Sequence, residues 1–267
     1  MTKRCLLTAL CALSFIPPIH ASVVGLLALG SGGSVTATLT SIRFGPDPTS
    51  TPVGLGTPAA PWDAQVATPT ALHFAGCAGA LGSAGCLNSG PLPAEAVEIN
   101  QDIALSAATT LPEDQFFRFG GDGLTHADLD YVLSLVGPGS LNSNCGALAQ
   151  FQSCSVYAGS PVVLTLLGSN TIASLGLSGT VTDGVGPAST WVGSFSVTFP
   201  GETPGDIQRI FCPSGTCTAA DFQRQTAITT SVSGTFEATA TPEPGSLALL
   251  LSGLGLIVVG AARRRRK

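Results

Sequence analysis

Charge is scarce in this chain, and lysine scarcer still. Of 267 residues only 10% are Asp, Glu, Lys or Arg, against roughly 25% in an ordinary soluble domain. Residues 22–241 contain no Lys; four Arg face fifteen carboxylates, a net charge near −11. Such a surface repels phosphate backbones, which excludes a nucleic-acid partner, and it attracts divalent cations. The low charge also excludes a coiled coil and a charge-rich disordered chain, and the 33 Gly and 19 Pro follow no collagen period. Aromatics are few at 6%, with Trp62, Trp191, Tyr131 and Tyr157 the only ones besides Phe.

Catalytic signatures are missing too. There is no Gly-x-Ser-x-Gly elbow, no His-Glu-x-x-His helix and no Gly-rich phosphate loop. Beyond the first 21 residues the only imidazoles are His73 and His126, and abundant Ser makes any triad arbitrary. His73, beside Phe74, reads as a strand or loop residue rather than a base. No Cys-x-x-Cys occurs, which removes the usual zinc spacing. No repeat of fixed period is present, so a solenoid is excluded. Thr36-Ala37-Thr38 and Thr239-Ala240-Thr241 stand isolated, without the regular Thr face that ice binding needs.

What is present is clearest at the two ends. Residues 1–21 read as a secretory signal: Lys3 and Arg4 charge the start, Cys5 to Ile16 is apolar, and Ile19-His20-Ala21 ends on a small residue. Cleavage by signal peptidase is expected after Ala21, although a second apolar stretch, Val23 to Leu29, blurs the cut. At the other end Pro242-Glu243-Pro244-Gly245 precedes an apolar run, Ser246 to Ala262, and then Arg263, Arg264, Arg265, Arg266 and Lys267. Residues 246–262 as a helix would span about 26 Å, near the hydrocarbon thickness of a bilayer. The basic cluster would hold the last residues cytoplasmic and place the main domain outside. The two prolines leave an extended strip at the membrane surface.

This three-part tail resembles the PEP-CTERM sorting signal of Gram-negative bacteria. The resemblance implies recognition and processing by an exosortase in the inner membrane, in bacteria that make exopolysaccharide, floc or biofilm. It implies a membrane anchor until processing, then a cell-surface or extracellular protein. From about Leu124 onward the run of strands also looks like cargo domains common among such proteins, a likeness that brings no site residues with it.

The middle, residues 22–241, reads as β. Leu129 to Leu135, Trp191 to Phe199 and Ile228 to Phe236 alternate with period two, as half-buried antiparallel strands do. Further candidates are Ser34–Phe44, Ala96–Leu105, Gln115–Gly120, Phe151–Ala158, Val162–Leu167, Thr171–Thr182 and Ile207–Phe211. About ten strands suggest an all-β fold, one antiparallel β-sandwich. Residues 43–71 carry six Pro among Gly, Thr and Ser and read as a long loop. Six cysteines remain after the signal, and sequence alone cannot pair them. They fall into three close couples, so local bridges Cys77–Cys86, Cys145–Cys154 and Cys212–Cys217 are expected, as suits an exported domain.

One polar constellation stands out, Gly120-Gly121-Asp122-Gly123-Leu124-Thr125-His126-Ala127-Asp128-Leu129-Asp130. Asp128 and Asp130 lie two apart on a strand and share a face. With Asp122 in the Gly-rich turn they would suit calcium, although the spacing fails the EF-hand pattern. The plainer alternative is that these acids form a solvent face and protect an edge. The same acids, or Glu113 and Asp114, raise a glycosidase, but sugar-stacking Trp and Tyr are few. The expectation is therefore an exported, non-enzymatic protein of the envelope or exopolysaccharide matrix without an obligatory cofactor. The alternatives are a calcium-stabilised adhesive module and a glycoside hydrolase.

Overall fold

The computed structural model describes residues 23–30, 35–44, 62–65, 67, 71–74, 96–99, 103–105, 110–119, 129–184 and 187–239. Strands dominate, as the alternating patterns predict. In chain order they are β1 Val23–Leu29, β2 Val35–Ala37, β3 Ser41–Phe44, β4 Trp62–Gln65, β5 Ala71–Phe74, β6 Ala96–Ile99, β7 Ile103–Ala104 and β8 Thr110–Phe119. Then come β9 Asp130–Val136, β10 Ser153–Ser155, β11 Val162–Leu167, β12 Asn170–Thr182 and β13 Ser189–Phe199. Two short helices follow, α1 Pro204–Phe211 and α2 Ala219–Arg224, and then β14 Ile228–Thr230 and β15 Ser233–Thr239.

The strands form two antiparallel sheets. The larger has the path β4-β6-β8-β9-β12-β13-β15-β1-β5. One flank of the long strand β12 serves two neighbours end to end: β11 along its first half and β9 along its second. β10 adds to the outside of β11. The smaller sheet runs β14-β2-β3-β7. Between β11 and β12 a two-residue turn closes the hairpin with Gly168 at φ 65°, the left-handed backbone such turns require.

Several expectations are corrected. There are fifteen strands among the described residues rather than about ten: β1, β4 and β5 fall where no strand was expected, and three candidates, Ser34–Phe44, Ala96–Leu105 and Ile228–Phe236, each divide between two strands. Ser34–Phe44 is the β2–β3 hairpin: the Thr38 hydroxyl accepts from the backbone N–H groups of Thr40 and Ser41 at 3.2 and 3.0 Å and turns the chain. Ala96–Leu105 divides into β6 and β7, which belong to different sheets. The expected loop 43–71 contains the end of β3 and all of β4.

Ile207–Phe211, expected as a strand, lies in α1. Ile207 and Phe211 are four residues apart and both buried, the spacing of a helix face. Thr203 starts the helix as a capping box: its hydroxyl accepts from the Asp206 N–H at 3.3 Å, while the Asp206 carboxylate accepts from the Thr203 N–H at 3.1 Å. Pro204 sits in the first turn, where its missing N–H costs nothing. Thr218 and Asp221 repeat part of the device at α2, Asp221 Oδ2 accepting from the Thr218 N–H at 2.8 Å.

The core is a cluster of rings. Phe44 from the smaller sheet packs against Phe116 and Phe195 of the larger at 6.2 and 5.4 Å between centroids. Trp191 stacks on Phe116 at 6.4 Å and meets Phe236 edge-on at 5.6 Å. Gly193 is required beneath Phe236, since a Cβ there would strike that ring. A second cluster, with Cys145, Cys154, Leu164, Ile207, Phe211 and Cys212, joins α1 to the β10–β11 edge.

Among the described residues no helix is long and apolar enough to cross a membrane. The expected signal, residues 1–21, and the expected span, 246–262, lie outside the described residues.

Candidate functional site

Of the three acids read as a calcium set, Asp130 is described and Asp122 and Asp128 are not. Asp130 opens β9 and pairs with Thr182 at the end of β12. Its Oδ1 is buried and has no hydrogen-bond partner among the described residues. Among those residues no group of three His, Cys, Asp or Glu side chains is placed to hold a metal ion. Glu113 and Asp114 lie within β8, and His73 lies in β5 opposite Val24. His126 falls outside the described residues.

The scarce large aromatics are largely taken up by packing. Trp191 and Tyr131 are fully buried. The indole N–H of Trp191 donates to the carbonyls of Val132 and Thr180 at 3.1 and 3.0 Å, fastening β13 across β12 to β9. Burial pushes the Tyr131 hydroxyl far above its ordinary range, so it stays protonated. The Tyr157 hydroxyl donates to the carbonyls of Leu39 and Leu105, at 3.0 and 2.7 Å. Its pKa is also raised by burial, an effect the hydrogen bond with Ser160 opposes. Neither phenol is available as a base at neutral pH.

Where the two hydrophobic clusters meet, between the sheets and α1, lies a cavity of about 90 Å³. Leu39, Val156, Leu164, Ala173, Phe195 and Ile207 are among its walls. The Thr38 hydroxyl on its rim is engaged with Ser41, 3.1 Å away. A site so lined has room for a small apolar group.

Cys145 and Cys154 are bridged, with Cα atoms 5.4 Å apart, and so are Cys212 and Cys217, at 4.7 Å. Both bridges belong to the second cluster and pin the chain around α1. Cys77 and Cys86 lie outside the described residues.

The last strand carries the functional end of the chain. β15 lies inside the sheet, paired with β13 from Thr190↔Thr239 to Ser196↔Ser233 and with β1 from Gly25↔Ala238 to Leu29↔Gly234. The hydroxyls of Thr190 and Thr239 are hydrogen-bonded at 3.2 Å at its final residue. The following residue begins a recognised unit, for residues 240–267 match the PEP-CTERM protein-sorting motif. The chain ends in a PEP-CTERM sorting signal. It is thereby an exported protein, sorted by exosortase and anchored through its C-terminal tail. Neither the curated proteins nor the solved structures give a match to the chain.

The PEP-CTERM signal contains Pro242, Glu243 and Pro244 and the terminal cluster Arg263 to Lys267. All of these lie outside the described residues. The stretch Val23–Leu29, which blurs the expected cut at the other end, is β1, between β15 and β5. Val23 is buried, and its N–H donates to the Ser189 hydroxyl at 3.3 Å. Sequence reasoning missed this because an apolar run of seven residues looks the same in a leader and in an interior strand.

Proposed function

We propose that this chain is a non-enzymatic protein of the cell envelope or exopolysaccharide matrix, built as a single β-sandwich and released or retained through its PEP-CTERM tail. The observation that carries the reading is the direct junction of strand β15 with the sorting motif at residue 240. A compact exported domain followed at once by its sorting signal is economical for delivering a body rather than a chemistry. The ring cluster linking the two sheets supports the sandwich, and the two bridges support an oxidising destination. Loss of Trp191 and Tyr131 to the core weakens the glycoside hydrolase alternative. Residues 1–21 are read as the signal peptide, with cleavage after Ala21 leaving β1 whole.

The test is the intact, non-reduced mass of the protein from its native host, from medium and membrane separately. A species starting near Ser22, ending near Pro244 and lighter by about 6 Da for three disulfides is expected. A mass retained through Lys267 and found only in membranes would reduce the tail to a simple anchor. Hydrolysis of the host polysaccharide that disappears in Asp128→Asn would replace the non-enzymatic reading.

The second reading, a calcium-stabilised adhesive module, is favoured by the unpartnered Oδ1 of Asp130. Calcium bound only by the folded state must raise the melting temperature. A melting temperature indifferent to chelator removes this reading.

A further inference from the structure

We propose that Phe151 and the uncharged loop around it form a binding tip for a neutral polysaccharide, at the end of the long strands opposite to Thr239. The inference rests on the matrix reading above and names the surface that would hold the matrix.

Phe151 is exposed over three quarters of its surface, yet its backbone is held at φ 65°. It is the third residue of a turn closed by the Gln152 N–H donating to the Ala149 carbonyl at 3.0 Å. That position at positive φ is ordinarily filled by Gly, and a bulky side chain there is strained. Nothing in the core explains a ring at this site, because the ring is in solvent. Strain of this kind persists only where the surroundings over-determine the backbone, and it gathers at binding sites.

The surroundings here are rigid. The Phe151 N–H donates to the Leu166 carbonyl at 2.9 Å, and the Leu166 N–H donates to the Gln152 carbonyl at 3.1 Å. The Gln150 amide brackets the β11–β12 turn: it donates to the Gly168 carbonyl at 2.9 Å and accepts from the Gly168 N–H at 2.7 Å. The Cys145–Cys154 bridge closes the loop behind. The backbone that carries the ring thus has little conformational freedom left to lose on binding.

The chemistry of the neighbourhood selects the partner. No charged residue occurs from Tyr131 to Thr182. The exposed side chains of this loop and of the β11–β12 turn include the amides and hydroxyl of Asn144, Gln150, Gln152 and Ser169, with Leu141 and Leu167 also exposed. A flat aromatic face with an electron-rich surface stacks on the polarised C–H groups of a pyranose, while amides serve its hydroxyls in either hydrogen-bond sense. An acidic polysaccharide would call for cations, of which this stretch has none.

The placement agrees with a tether at the other end. Phe151 borders Leu166 beside the start of β12, whereas Thr239 pairs with Thr190, which pairs with Thr180. Ten residues of strand separate Asn170 from Thr180, about 33 Å. The tip therefore points away from the strand end that leads into the anchor.

The test uses the full mature protein in native gels containing either the neutral or the acidic exopolysaccharide fraction of the native host. Retardation by the neutral fraction is expected, weakened at least tenfold in Phe151→Gly and preserved in Phe151→Tyr. Phe151→Gly relieves the strained backbone, so its melting temperature should equal or exceed the original, which separates lost binding from lost folding. Equal retardation of Phe151→Gly would overturn the site while leaving the matrix role standing. Retardation by the acidic fraction alone, or none by either fraction, would overturn the assigned ligand. A Phe151-dependent dimer in sedimentation without retardation would make the occupant a second copy and overturn the proposal. Failure of the export reading would show separately, as a chain retaining residues 1–21 in the cytoplasm.

Discussion

Tyr157 shows how one side chain can hold distant segments of this fold together. Its hydroxyl proton is shared between the Leu39 and Leu105 carbonyls, and its ring meets Phe222 edge-on at 5.0 Å. Tyr157→Phe keeps the ring but strands both half-buried carbonyls, so a loss of about 1–3 kcal/mol is expected in denaturant unfolding. Asp221 offers a test by pH. Hydrogen bonds from the Thr218 backbone and hydroxyl, with Arg224 nearby, hold its carboxyl below the ordinary carboxylate value, and Thr203 does the same for Asp206. A carboxyl lowered in the folded state contributes fully above the unfolded value of about 3.9. The contribution disappears as pH falls through the lower folded value. The melting temperature should therefore drop between pH 5 and 2.5, and Asp221→Asn should flatten part of that drop.

At the scale of elements, α1 and its bridges form one unit. The helix is only eight residues long, too short to persist without tertiary support. Its support is the second hydrophobic cluster together with Gln208, whose amide donates to the Ser143 and Val156 carbonyls at 2.9 and 2.8 Å. Replacing Cys145 and Cys154 together by Ser opens a short loop and should cost about 2–3 kcal/mol in the chain-entropy model. Hydrogen exchange should show the loss concentrated in residues 139–166 and α1, with β13 and β15 protected as before. The neighbouring cavity predicts a change in the opposite direction. Ala173→Val adds methyl groups to one wall and is expected to stabilise the protein by about 0.5–2 kcal/mol in the same unfolding measurement.

For the whole molecule the pairing of first and last strands matters most. β15, the last strand, completes the sheet by entering between β13 and β1, the first strand. A chain stopped after Ser231 loses both ladders and should fail to fold. A chain stopped after Pro244 keeps every described strand and should melt at the temperature of the full mature protein. Circular dichroism melts of the two truncations distinguish a domain independent of its tail from one that needs it.

Local pattern determined a good part of this. Val162–Leu167 is a largely apolar run between two breakers, Ser160-Pro161 and Gly168, and it is β11 to the residue. Trp191 begins an alternating run, and its burial followed from that alternation. The tail was legible because its three parts are physically distinct over 26 residues: a proline strip, an apolar span and a basic end. What local pattern could not decide was partnership. Val23–Leu29 is apolar in either a leader or a core, and only its ladders to β15 and β5 make it a strand. Ile207–Phe211 was readable as a helix from Thr203-Pro204-Gly205-Asp206, but a segment of five residues is too short to show a helical period by itself. Phe151 carried no signal at all, since nothing in the sequence marks a positive φ at a residue other than Gly. Its place is set by its own hydrogen bond to Leu166 and by that of Gln150 to Gly168, residues apart in the chain. Strand order, the seam between the clusters and the poised ring were decided by tertiary structure, because each depends on which surfaces exclude water together.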